Sequence, residues 1–336
     1  MKKLVNYNQR QQQQQYNIKT VNTASPPLHK QTHTNMKRAL GIIPARYGST
    51  RFPGKLLSDL GGLPVIVRTV NAAKQSQQLS NVWLATDDKR ISQLVEKQCC
   101  KSIEIIHTSS DCPSGSDRLV AALNIKGIVP EPIEHSDLIK NNNKRTEETF
   151  PYDVIVNVQG DEPLLNPKHI DLVIDCLYNN PNADIATLVV PLDPTTEDGQ
   201  FNITNPNVVK CVLDQNNNAL YFSRSIIPYY NTSNSTKGSK DDGASANIDT
   251  SGKTRYLKHI GLYAYRPSSL FKFVRSKASQ LEISEGLEQL RAMSLGMSIK
   301  VVQVNDAKGG IDTIEQLEHA RALLKEEKRR SVLRRV

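Results

Sequence analysis

The stretch "IIPARYGSTRFPGK" (residues 42–55) places Arg46, Arg51 and Lys55 just past an apolar run that ends at Pro44. No acidic residue precedes Asp59 anywhere in the chain, so these cations have no local counter-charge. Basic loop residues are ordinarily solvated. Clustered without acids at the end of a buried strand, they also suit a polyanion such as a phosphate chain. Spacing excludes the common phosphate loop, because the Walker A pattern needs Gly, four residues, Gly, Lys, then Ser or Thr. Here five residues separate Gly48 from Gly54, and Leu56 follows Lys55. The dinucleotide pattern G-x-G-x-x-G is absent as well.

Two acidic motifs could face those cations. In "VNVQGDEPLL" (156–165), Gln159, Gly160, Asp161 and Glu162 gather where an apolar strand stops. Gly160 permits a close approach of another group, and Asp161 offers oxygen to a hard cation such as Mg²⁺. The alternative for Asp161 is a cap on the helix "NPKHIDLVIDC". Asn166, directly before Pro167, is the better cap there. In "GGIDTIEQLE" (309–318), Asp312 is either a second ligand or, with Thr313, the cap of the following helix. Spacing alone leaves that choice open.

The elements that must position these residues alternate along the chain. "RALGIIP", "NVWLATD", "SIEIIH" and "DVIVNVQ" read as strands, interleaved with the helical "PVIVRTVNAAKQS", "KRISQLVEKQ" and "GSDRLVAALN". Strands follow in "ADIATLVVP", "NVVKCVLD", "HIGLYAYR" and "IKVVQVN", and helices in "SLFKFVR", "LEQLRAMSLG" and "TIEQLEHARALLKEE". Such alternation predicts an α/β fold with a doubly wound, mostly parallel sheet. Sites in these sheets lie beyond the carboxyl ends of the strands. Residues 44–55, 87–88 and 159–163 each follow a strand end and are expected to share one cleft.

The acid-free, Gln-rich residues 1–35 lack the apolar core of a secretory signal; their composition allows an organelle transit peptide, and they read first as a disordered tail. Residues 36–324 read as a single domain interrupted by two polar stretches, 130–150 and 231–254, expected to be surface loops, the second disordered. Residues 325–336 read as a basic tail. The net charge of +9 sits at the two ends: five cations and no acid in 1–35, six cations and two acids in 325–336. The body is neutral, which argues against a nucleic-acid-binding face. Five Cys with no C-x-x-C fit a reducing cytoplasm and no zinc site. No apolar run approaches the ~20 residues that cross a bilayer.

Taken in order, "IIPARYGSTRFPGK", "TSSDCPSGSDR", "VIVNVQGDEPLL", "NPNVVKCVLD", "ALYFSRSIIP", "HIGLYAYR", "LEQLR" and "GGIDTIEQLE" resemble the 3-deoxy-manno-octulosonate (Kdo) cytidylyltransferase family, also called CMP-Kdo synthetases. The resemblance covers about residues 37–322 apart from the two polar stretches. It implies a nucleotidyltransferase fold related to glycosyltransferase A, with a smaller sugar-binding and dimerisation part. It implies transfer of CMP from CTP to Kdo for lipopolysaccharide assembly, with Mg²⁺ as cofactor and a homodimer as the assembly. By that resemblance Arg46, Lys55, Asp161 and Asp312 are catalytic, and Asp161 and Asp312 hold Mg²⁺. Arg51 joins Arg46 and Lys55 around the triphosphate, and Ser114, Gly115 and Arg118 lie on the nucleotide side. Gln159, Arg224, His259, Tyr263, Glu288 and Gln289 match the Kdo pocket.

The residues alone allow plainer readings. His259 and Tyr263 share one strand face and could be core, and Glu288 with Arg291 could be a helix-surface pair. Cys112 departs from the family, where many members carry His. The rivals are another sugar-acid nucleotidyltransferase, such as a CMP-sialate synthetase, and a glycosyltransferase. The latter usually shows Asp-x-Asp, which this chain lacks.

Overall fold

Continuous apolar strands and amphipathic helices assemble into one sheet with a core on each face. The computed structural model describes residues 38–49, 51–99, 103–130, 150–231, 248–249 and 254–333. The chain opens with β1 (Ala39–Ala45), a 3₁₀ turn (Lys55–Leu57) and a two-stranded hairpin, β2 (Asp59–Leu60) and β3 (Leu63–Pro64). Then come α1 (Val65–Lys74), β4 (Leu79–Thr86), α2 (Lys89–Cys99), β5 (Glu104–His107), α3 (Gly115–Ile125) and β6 (Val154–Asn157). The middle comprises α4 (Pro167–Asn179), β7 (Ile185–Leu192), α5 (Glu197–Thr204), β8 (Lys210–Leu213) and β9 (Ala219–Ser223). It ends with β10 (Tyr256–Tyr265), α6 (Pro267–Arg275), α7 (Gln280–Glu285), α8 (Gln289–Ser294), β11 (Ile299–Gln303) and α9 (Ile314–Leu333).

The main sheet runs β11-β7-β10-β6-β1-β4-β5, with β8 paired to β10 and β9 to β8. The β1–β4, β1–β6, β4–β5 and β11–β7 ladders are parallel. β10 is antiparallel to both β6 and β7, so the sheet is mostly parallel with one reversed strand in its middle. Alternation splits each strand between two cores. Ala39, Ile43 and Ala45 of β1 join one cluster with α1, α2 and α4, while Leu40 and Ile42 join another with α3, α6 and α8.

Asn166 caps α4 as expected: its side chain accepts from Lys168 N, and Pro167 opens the helix. Five elements go beyond those the sequence pattern predicts: the hairpin strands β2 and β3, α5, α7 and β9, the last present there only within the motif "ALYFSRSIIP". The basic end is helical as far as Leu333, because long charged residues are good helix formers, with Arg330 paired to Glu326 one turn back. Residues 1–37, 131–149, 232–247 and 250–253 lie outside the described residues, and with them most of the loop and tail expectations. Asp249, within the stretch expected to bury little, is only 1% exposed. It is held in place where its carboxylate accepts from Thr254 N at 2.6 Å and its own N–H donates to the Tyr256 hydroxyl.

Candidate functional site

The carboxyl ends of β1 and β6 lie side by side, with Ile42 opposite Asn157. Immediately beyond, Gly160 passes so close to β1 that a Cβ there would stand 2.8 Å from the Pro44 carbonyl oxygen. Only glycine fits, and Thr69 fixes the spot by donating to the Gly160 carbonyl at 3.0 Å. This crossing brings the basic loop after β1 against the acidic turn after β6. Lys55 begins the 3₁₀ turn and reaches across: its Nζ lies 2.5 Å from Asp161 Oδ2 and 2.8 Å from Asp312 Oδ1.

Asp312 arrives from the far end of the chain. Ile311 N donates to the Asp161 carbonyl at 2.8 Å and stitches the two turns together. The cap question resolves in the same place. Thr313 caps α9 through Gln316 N, and the Gln316 side chain returns to the backbone N–H of Asp312 and Thr313, a reciprocal arrangement of the capping-box kind. The Asp312 carboxylate is thereby free to face Lys55 and Arg51, the latter at 3.0 Å. Burial pulls the Lys55 ammonium down, but Asp161 and Asp312 together outweigh it and hold it above its usual range. Burial likewise pushes Asp312 up, and its bonds to Lys55 and Arg51 outweigh that and hold it low.

These groups line a cavity of about 330 Å³ together with Arg46, Ser114, Gly115, Arg118, Gln159 and Cys112. Ser114 caps α3 and donates to Asp117 Oδ2 at 2.6 Å. Arg118 is only 2% exposed. Its guanidinium is committed to Thr108 Oγ1, Ser109 O and Asp87 Oδ2, so it shapes the wall more than it offers free donors. Neither Asp87 nor Asp88 lines the cavity, and Asp87 stands behind it in an ion pair with Arg118. Burial raises the Cys112 thiol, and Asp117, Asp87 and Asp111 add to this against Arg118. The thiol is therefore neutral near pH 7 and not poised as a nucleophile.

A second cavity of about 260 Å³ adjoins the first and shares Gly115, Gln159 and Glu288 with it. Tyr263 and Gln289 line it, as do Asn157, Tyr265, Phe273 and Ser116. Glu288 does not pair with Arg291, which bonds Glu282 instead. It accepts from Ser116 at 3.2 Å, and burial lifts its carboxyl against that hydrogen bond.

Two candidates stand outside both linings. His259 Nε2 lies 3.1 Å from Thr187 Oγ1. Its ring, though not wholly buried, is packed against Phe222 and Tyr263, and this enclosure drives its pKa down to about 3. Arg224 donates to the carbonyls of Glu285, Pro206 and Gly286. The fully buried Lys210 braces it by donating to the Arg224, Asn205 and Val208 carbonyls. This network sets the α7–α8 turn, where Gly286 is left-handed at φ 62°, and so places Glu288 and Gln289. The sequence pattern does not single out Asn157, and it marks Glu162 only as part of the acidic turn, without a role. Glu162 is 8% exposed, and burial, then Asp161, pushes it up to about 8. A larger groove of about 460 Å³, between Lys74 and Glu104, lies at the amino end of β4 and not at the site.

Comparison with known proteins bears on this arrangement. Residues 40–299 match the model of the family described as Cytidylyltransferase. The chain belongs to that family. A "3-deoxy-manno-octulosonate cytidylyltransferase" of Protochlamydia amoebophila (strain UWE25) is 38% identical over 278 residues, covering 83% of this chain and 91% of that protein. One of the same name from Bdellovibrio bacteriovorus (strain HD100) is 38% identical over 287 residues, covering 85% and 98%. A solved structure of CMP:2-keto-3-deoxy-manno-octonic acid synthetase complexed with CTP superposes with a TM-score of 0.68 at 33% identity. The match covers 87% of this chain and all of that one.

Proposed function

We propose that this cytidylyltransferase joins CMP from CTP to the anomeric hydroxyl of Kdo and releases pyrophosphate, for lipopolysaccharide assembly. The observation that carries the reading is the pair of joined cavities. One is lined by Arg46, Arg51 and Lys55, the other by aromatic and amide side chains, and Gly115, Gln159 and Glu288 belong to both. A nucleoside triphosphate suits the first and a neutral-sided sugar acid the second, so the two reactants meet at the shared residues.

Arg46 and Arg51, at the exposed mouth, are placed to bind the outer phosphates. Lys55 is held at the level of Asp161 and Asp312. Against a triphosphate these cations stabilise charge that grows on departing pyrophosphate. The sugar hydroxyl attacks the α-phosphorus directly and in line. No covalent enzyme intermediate is required, in keeping with the neutral Cys112. Positioning in the joined cavities supplies much of the acceleration.

Mg²⁺ fits the Asp161–Asp312 pair. Their oxygens converge on one cationic point, the Lys55 Nζ, and among the described residues no third His, Cys, Asp or Glu joins them in a metal-holding group. That donor set suits an ion that arrives with phosphate and water as its remaining ligands. When bound, Mg²⁺ would add positive charge at the phosphates and acidify a hydroxyl that reaches it.

We also infer a homodimer. Leu220 on β9 and Leu281 and Ile283 on α7 are exposed, and the Ser223–Glu285 hydrogen bond joins these two elements; such apolar surface suits a second copy. Among the described residues no helix is long and apolar enough to cross a membrane, and we place the enzyme in the cytoplasm. The deciding experiment offers Kdo, or N-acetylneuraminate, with each of the four nucleoside triphosphates and follows pyrophosphate. CTP with Kdo should be fastest; faster turnover with another pair overturns the reading.

A further inference from the structure

β6 carries one residue that its packing does not explain. Val154 and Val156 point into the first core and Ile155 into the second. By strand alternation Asn157 continues the Ile155 side, between Ile42 of β1 and Tyr263 of β10. It is only 2% exposed. An apolar residue would extend the run "VIV" without penalty, whereas a buried amide needs partners for both ends.

Asn157 has a partner at one end. Its Oδ1 accepts from Gln159 Nε2 at 3.1 Å, which turns its own NH₂ toward the second cavity that it lines. Among the described residues the side-chain hydrogen bond of Asn157 is this one, at its oxygen. The nitrogen stands 3.8 Å from where a Cβ on Gly115 would be, and Gly115 borders both cavities. The nitrogen is open to the second cavity, because the buried side-chain atoms without a partner among the described residues are Asp87 Oδ1 and Arg266 Nε and not this one; a ligand acceptor there can take the place of water.

The ligand's chemistry follows from the lining. No Lys or Arg lines the second cavity, and its one carboxyl is Glu288. An acid entering it must be held by neutral donors. We propose that Asn157 is a catalytic residue: its carboxamide N–H donates to the carboxylate on the reacting carbon of the sugar acid, at the junction with the nucleotide cavity. Gln159 is the positioning residue that orients this amide. The inference rests on the cytidylyl-transfer reading above.

The test uses the full chain with Asn157→Leu, which keeps the volume and removes the donor, and Asn157→Asp, which keeps the shape and puts an acceptor in its place. Initial rates of pyrophosphate release give KM for each substrate, and thermal melting reports the fold. A lost hydrogen bond to a charged group predicts a rise of about 10- to 100-fold in KM for Kdo. The rise should be larger for Asp than for Leu, with KM for CTP within about threefold and melting temperatures near the parent's. Asp exceeding Leu is the signature that a packing role would not give. The proposal is overturned if KM for Kdo stays at the parental value, if both KM values rise together, or if both variants fail to fold. If the parent itself releases no pyrophosphate from CTP and Kdo, it is the reading of the function that fails.

Discussion

The two cavities share a wall, yet the first is lined by Arg46, Arg51, Lys55, Asp161 and Asp312, whereas the second is lined by Tyr263, Tyr265, Phe273 and amides. The first is built from turns at the ends of the parallel strands β1 and β6 and from the start of α9. The second needs the reversed strand β10 and the short helix α8. Charged groups dominate one lining, and aromatic and amide groups the other. The two halves should therefore fail differently when altered.

The largest effect belongs to the charged side. Asp161→Asn and Asp312→Asn each leave Lys55 one carboxylate, so the fold should survive with a melting temperature within a few degrees of the parent's. Turnover should drop by about 100-fold or more, the scale of losing one preorganised electrostatic partner, and the remaining rate should need more Mg²⁺. Pyrophosphate release across a magnesium titration checks this. An Asp312→Asn protein with normal turnover and unchanged magnesium dependence would reduce the pair to a structural salt bridge.

On the neutral side a smaller and more selective effect is expected. Tyr263→Phe removes one hydroxyl from the second cavity and should raise KM for Kdo by about tenfold, in line with one lost hydrogen bond. The KM for CTP should not move. Equal changes in both constants would show that the cavities are not separate subsites.

This difference also explains what could be read from the chain. Cations with no acid before Asp59, and glycine-rich turns after apolar runs, mark the charged half in plain sequence, and Gly160 was readable as a close approach. That Asp312 faces Lys55 was not, because it depends on Thr313 and Gln316 taking the cap and on Ile311 bonding Asp161. The second half was legible mainly through family resemblance. Its residues look like core by periodicity, and the insertion of β10 antiparallel between β6 and β7 leaves no local signal. Asn157 reads as one more position in a buried strand. Arg224 looks like a ligand group in its motif, but its bonds to the carbonyls of Glu285, Pro206 and Gly286 exist only after folding.

A still smaller effect is expected at Cys112. The neutral thiol neither attacks nor donates strongly, so Cys112→Ser should keep activity within a few-fold. Iodoacetamide should label Cys112 slowly at pH 7, and faster as pH rises past the ordinary thiol range. Mass spectrometry after brief labelling measures it. Rapid labelling at pH 7 would mean that Arg118 dominates the local field and that the thiolate is present.

The smallest expected effect on catalysis, and the clearest on stability, concerns His259. It stands beside Tyr263 but lines neither cavity, and Thr187 holds its Nε2. Turnover of His259→Gln near pH 7.5 should stay within a few-fold of the parent. Acid stability is another matter. In the unfolded chain the imidazole takes up a proton below about 6.5, whereas in the fold it remains neutral until about 3. Between those values the unfolded state binds more protons, so this residue's contribution to stability falls as pH falls through that window. His259→Gln removes the titration and can still meet Thr187. Carboxylates lose their stabilising contacts with acid in both proteins, so the difference between the two isolates His259. The melting temperature of the parent relative to the variant should be flat above pH 7 and decline steadily from about pH 6.5 toward pH 4. A difference that stays constant across that range would mean that His259 is protonated as readily in the fold as outside it, and that its enclosure by Phe222 and Tyr263 does not exclude charge.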